Sequence, residues 1–82
     1  MTLYIQRGMK LGRQNVKNNV RNIRRRLDIT QEVLAKQIYV TRQTIIAIEK
    51  QRYEPTISVA LALAKSLNEP VENIFYFDIE NK

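Results

Sequence analysis

Arginine, lysine and the side-chain amides are the groups with which this chain can do chemistry. Cysteine and histidine are absent, which removes disulfides, thiol nucleophiles, imidazole bases and the usual zinc ligands. The carboxylates (Asp28, Glu32, Glu49, Glu54, Glu69, Glu72, Asp78 and Glu80) show no paired spacing and no metal-ligand cluster, and no glycine-rich phosphate loop accompanies them. Catalytic residues, metal ligands, cofactors and a small-molecule ligand are therefore not expected. The net charge of +6 is unevenly spread. Arg7, Lys10, Arg13, Lys17, Arg21, Arg24, Arg25 and Arg26 fall in residues 1–26 with no acid among them, while the rest of the chain is slightly acidic. A basic segment joined to a near-neutral domain suits a polyanionic partner.

The elements that must position these groups can be read from spacing. Eighty-two residues make one core. No run of about 18 apolar residues exists to span a membrane, and Met1–Lys10 lacks the apolar core of a secretory signal, so a cytoplasmic protein is expected. Residues 1–14 read as a basic arm or strand, residues 15–75 as the domain, and residues 76–82 as a terminal strand or tail. Val16, Val20, Ile23 and Leu27 recur at helical spacing, which predicts a first helix from Asn15 to Arg26 ending near Asp28, a residue type that tolerates a left-handed backbone. Thr30 is placed to cap a short helix, Gln31 to Ile38, with Leu34, Ala35 and Ile38 inward. Thr41 repeats the signal for Arg42 to Lys50, with Ile45 and Ile48 inward. Two short helices joined by a tight turn form a helix-turn-helix unit.

Pro55 stops that run, and Thr56 caps a strongly apolar fourth helix, Ile57 to Leu67. Its apolar surface extends beyond one stripe, so a face is left for a second chain. Pro70 opens a short fifth helix through Ile74. Phe75-Tyr76-Phe77-Asp78-Ile79 alternates as a strand does, and Leu3–Gln6 is the expected partner strand, within or between chains. The fold class is all-α: a five-helix domain with a small terminal two-stranded antiparallel sheet.

Ile29-Thr30-Gln31-Glu32-Val33-Leu34-Ala35, Val40-Thr41-Arg42-Gln43-Thr44-Ile45, Ile48-Glu49-Lys50 and Tyr53-Glu54-Pro55-Thr56 together resemble the phage repressor/Cro-like (XRE-type) helix-turn-helix family. The likeness runs from about Val20 to Phe75 and is greatest to the short stand-alone bacterial members. Two positions depart from the pattern. Tyr39 and Gln51 stand where the family commonly has glycine, and a left-handed backbone there costs a non-glycine residue about 1 kcal/mol unless the turn takes another shape.

The resemblance implies a regulator of transcription that binds double-stranded DNA with its second motif helix in the major groove. Arg42 and Gln43 then face base edges, where Arg suits guanine and Gln suits adenine, while Ile46 and Ala47 pack on thymine methyls. Gln31, Thr41, Thr44, Lys50 and Arg52 fall at phosphate-contacting positions. Arg24 and Glu49 match positions that form a structural salt bridge between the first and third helices. A homodimer is expected, with Val59, Leu63, Phe75 and Phe77 at its interface. An antitoxin-like module that binds a partner protein as well as DNA is the alternative, and the absence of a long toxin-wrapping tail favours the homodimer.

Overall fold

The starts of three helices in the computed structural model, which describes residues 15–78, have a local cause. The elements run β1 (Asn15–Asn18), α1 (Val20–Arg26), α2 (Gln31–Gln37), α3 (Arg42–Glu49), α4 (Ile57–Leu67), α5 (Val71–Ile74) and β2 (Phe75–Asp78). Thr30, Thr41 and Thr56 sit in extended backbone before α2, α3 and α4, and each hydroxyl accepts from the amide three residues on, at Val33, Thr44 and Val59. Each cap satisfies an otherwise orphaned amide and contributes about 1 kcal/mol. Among the described residues no helix is long and apolar enough to cross a membrane.

The ends of α1, α2, α3 and α4 share one closure. The amides of Ile29, Val40, Arg52 and Glu69 each reach back to the carbonyl five residues earlier. That bond requires the intervening residue to turn left-handed. Asp28, Tyr39, Gln51 and Asn68 do so, with φ of 62°, 60°, 62° and 57°. Asp and Asn tolerate this backbone; Tyr and Gln carry the strain of a Cβ against the following carbonyl.

Tyr39 gains nothing visible in return, since its side chain is 93 % exposed. Tyr39→Gly is expected to stabilise the domain by about 0.5–1 kcal/mol, the strain relieved less the entropy of glycine in the unfolded chain. Gln51→Gly relieves the same strain and is nonetheless expected to destabilise. The Gln51 amide accepts from the Asn18 amide at 3.1 Å and donates to the Asn18 carbonyl at 3.1 Å. Thermal melts of the two variants check this: their midpoints should move in opposite directions.

Asn18 also explains the largest departure from expectation. The first helix begins at Val20, not Asn15, and Asn15–Asn18 is a strand. Asn18 is 7 % exposed. Its side chain accepts from the Val20 amide at 3.0 Å and donates to the Ile48 carbonyl at 2.9 Å, while Gln51 holds its main chain. A residue tied sideways on both main-chain groups cannot lie inside a helix. Val16 therefore belongs to β1, Leu27 caps α1 with its side chain exposed, and only Val20 and Ile23 of the expected stripe are buried.

β1 pairs antiparallel with β2, matching Asn15 to Asp78, Val16 to Phe77, Lys17 to Tyr76 and Asn18 to Phe75. The tail strand thus finds its partner in Asn15–Asn18. Leu3–Gln6, expected in that place, lies outside the described residues. The core takes side chains from all five helices: Val20, Ile23, Leu34, Ala35, Ile38, Ile45, Ile48, Leu63, Leu67 and Ile74. Leu63 is completely buried within the single chain. Its expected place between two chains is corrected: it has no surface left to offer.

Candidate nucleic-acid interface

The α2–turn–α3 unit is braced from beneath by one buried ion pair. Arg24 projects from α1 and donates through Nε and Nη2 to the two carboxylate oxygens of Glu49, at 2.6 and 3.1 Å. The side chains are 11 % and 4 % exposed. Such a fork-to-fork arrangement is the strongest form of charged hydrogen bond. The Arg24 Nη1 group donates further to the Ile29 carbonyl at 2.9 Å, at the entry to α2. One guanidinium therefore ties α1 to both helices of the unit.

Glu49 accepts a third bond, from Gln31 Nε2 at 3.1 Å, and the Gln31 carbonyl oxygen in turn accepts from Arg42 Nε at 3.3 Å. The buried pair is thus continued outward through an amide to the first residue of α3. Arg42 keeps both terminal nitrogens free of protein partners among the described residues, held at a defined angle by its Nε. Gln31 was expected to face a phosphate. It is half-buried, one N–H is committed to Glu49, and only its second N–H remains for an outside acceptor.

Arg42 and Gln43 are exposed at the start of α3, and Ile46 and Ala47, one turn on, are half-buried. Thr41 caps α3 and its hydroxyl also lies 3.1 Å from that of Thr44, so both threonines serve the helix start. Lys50 caps the far end of α3 and Arg52 follows, both exposed. The four residues expected to meet bases and the five expected to meet phosphate therefore lie on or next to α3, except Gln31 behind it. Between α1, α2 and α3 runs an open groove lined by Arg21, Arg24, Arg25, Arg42 and Lys50 together with the acids Glu32 and Glu49.

A family model described as helix-turn-helix matches residues 20–74, from the first residue of α1 to the last of α5. The chain belongs to this helix-turn-helix family. It is similar to HTH-type transcriptional regulators, themselves uncharacterised, from several organisms. One from Methanothermobacter thermautotrophicus is 48% identical over 60 residues, covering 72% of this chain and 87% of the relative. One from Methanocaldococcus jannaschii is 43% identical over 63 residues, covering 77% and 96%. One from Bacillus subtilis is 39% identical over 66 residues, covering 80% and 100%. Membership of this family implies DNA binding, and α3 is the second of the two short helices joined by the turn.

Sequence reasoning missed two things about this helix-turn-helix unit. The Asn18–Gln51 amide pair fastens β1 to the end of α3. No spacing rule reveals it, because its partners are 33 residues apart. The other is that Gln31 links the ion pair to Arg42, although its position at the start of α2 was singled out. The apolar residues that α4 does expose are Ile57 and Leu61, at 77 % and 57 %. Val59 and Phe75 are half-buried against their own core, and Phe77 is exposed on β2.

Proposed function

We propose that this helix-turn-helix protein is a repressor that reads a pseudo-palindromic operator through α3, as a two-fold symmetric homodimer. The observation that carries the reading is the start of α3, where Arg42 and Gln43 stand exposed and adjacent, with Arg42 pre-oriented by Gln31. Arg42 reads guanine and Gln43 reads adenine by paired hydrogen bonds, while Ile46 and Ala47 meet thymine methyl groups. Thr41, Thr44, Lys50, Arg52 and the free N–H of Gln31 hold the backbone and set the register. The groups gathered there are donors for bases and phosphates, which suits a binding protein in the cytoplasm better than an enzyme.

Dimerisation in this reading uses the apolar surface that the single chain leaves uncovered. Ile57 and Leu61 lie four residues apart on α4, Val59 is half-buried on the same helix, and Phe75 and Phe77 lie on β2. A domain of this size has a thin stability margin, so covering that surface also stabilises it. The same face suits a partner protein, which is the antitoxin-like alternative.

Selection of binding sites from a random duplex library, with the protein's mass in solution measured alongside, tests the proposal. A two-fold symmetric consensus with half-sites about 34–36 Å apart is expected, bound by a dimer. A single asymmetric half-site bound by a monomer would overturn the dimer and move the partner-protein alternative to first place. Binding without any consensus would overturn operator reading itself.

A further inference from the structure

Arg21 and Arg25 are four residues apart on α1, which puts them on one face, about 6 Å apart along the helix axis. That face opens into the groove between α1, α2 and α3. Both side chains are exposed, and both line the groove that also contains Arg42, Ile46 and Lys50. Arg24 lies between them in sequence but is drawn inward by Glu49, so its charge is largely neutralised. Among the described residues the ion pairs are Arg24–Glu49 and Lys17–Asp78, and neither involves Arg21 or Arg25. Glu32 is the one carboxylate of the groove not held by an arginine, against four lining cations, Arg21, Arg25, Arg42 and Lys50, that form no ion pair among the described residues. The remaining balance is strongly positive.

Resting on the reading of α3 as the element that enters the major groove, we propose that Arg21 and Arg25 form a phosphate-binding ridge. It grips the DNA backbone from the α1 side of the groove that Lys50 also lines. An arginine suits this role because its planar donors match two phosphate oxygens at once. The ridge belongs to α1, not to the helix that enters the major groove, so it supplies affinity and register without reading sequence. The basic stretch of the first helix is thus divided by function. Arg24 is structural, Arg21 and Arg25 contact backbone, and Arg26 points to another surface, beside Asn22, Glu69 and Asn73.

Arg26 makes the test decisive, because it is the sequence neighbour of Arg25 and carries the same charge. Affinity of the full chain for a duplex is measured from about 50 to 200 mM salt for wild type, Arg21→Ala, Arg25→Ala and Arg26→Ala. Each phosphate contact contributes about 0.9 to the slope of log affinity against log salt. Arg21→Ala and Arg25→Ala are each expected to flatten the slope by about that amount per bound chain, or about 1.8 for the symmetric dimer. Arg26→Ala is expected to leave it unchanged, and all variants should select the same consensus as wild type. Thermal melts confirm that these exposed positions leave the fold intact. Slopes that fall no further for Arg21→Ala and Arg25→Ala than for Arg26→Ala overturn the ridge and leave only diffuse attraction. Failure of operator reading shows separately, as loss of any consensus in wild type, and the slopes on a random duplex still decide the ridge.

Discussion

Glu49→Ala is expected to cost about 3–5 kcal/mol, the largest effect on folding stability among the single changes considered for this domain. The carboxylate is nearly inaccessible and accepts three hydrogen bonds, from Arg24 Nε, Arg24 Nη2 and Gln31 Nε2. Removing it leaves the mostly buried Arg24 guanidinium without a counter-charge, and that desolvated charge is the main penalty. Small domains have total stabilities of only about 5–15 kcal/mol, so the variant should be largely unfolded at moderate temperature. The double variant Arg24→Met/Glu49→Leu is expected to be far less damaged, because it removes the charge along with its partner. Thermal melts of the two single variants and the double give a mutant cycle. A Glu49→Ala midpoint within a few degrees of wild type would show that the pair is ornamental to the fold, since 1 kcal/mol moves the midpoint by about 4–8 °C at this size.

Arg42→Ala is expected to act on recognition with little effect on stability. Its side chain is exposed, and its bond to Gln31 is a surface one. A lost bidentate base contact costs about 1–3 kcal/mol, and a symmetric operator loses two of them. Affinity for the selected operator should therefore fall by about 2–6 kcal/mol in total, with the base preference erased at one position in each half-site. Gln43→Ala should erase preference at a neighbouring position instead. Gln31→Ala is the informative comparison. It removes the acceptor that orients Arg42 and is expected to weaken preference at the same base pair as Arg42→Ala, without erasing it. Loss spread evenly over all positions would instead mark Gln31 as a backbone contact only. Repeating the operator selection with the three variants separates these outcomes.

The reach of the sequence differs from one part of this protein to another. The starts of α2, α3 and α4 were readable because a threonine cap is a contact within three residues, and local chemistry determines it. The buried faces of α2 and α3 were readable for a related reason: Leu34, Ala35, Ile45 and Ile48 follow the helical repeat. The same rule failed at Asn15–Asn18. Val16 keeps perfect helical spacing with Val20, yet strand pairing with β2 and the amides of Gln51 outweigh that local preference. Those partners are distant in the chain, and periodicity carries no information about them. Leu63 failed in the opposite sense. An apolar helix announces that much of its surface is covered, but not whether its own chain or another does the covering.

The sequence by itself determined a basic helix-turn-helix domain, its capped helices, and the residues that stand at the head of α3. Those features rest on contacts within one or two turns, so residue order specifies them directly. Tertiary structure alone decided that Asn15–Asn18 is a strand, that Leu63 belongs to the core, and that Gln31 connects a buried ion pair to Arg42. It also decided which arginines of α1 are structural and which face the groove. These are outcomes of packing. The four arginines of α1 are chemically identical and differ only in what the rest of the fold places opposite each of them.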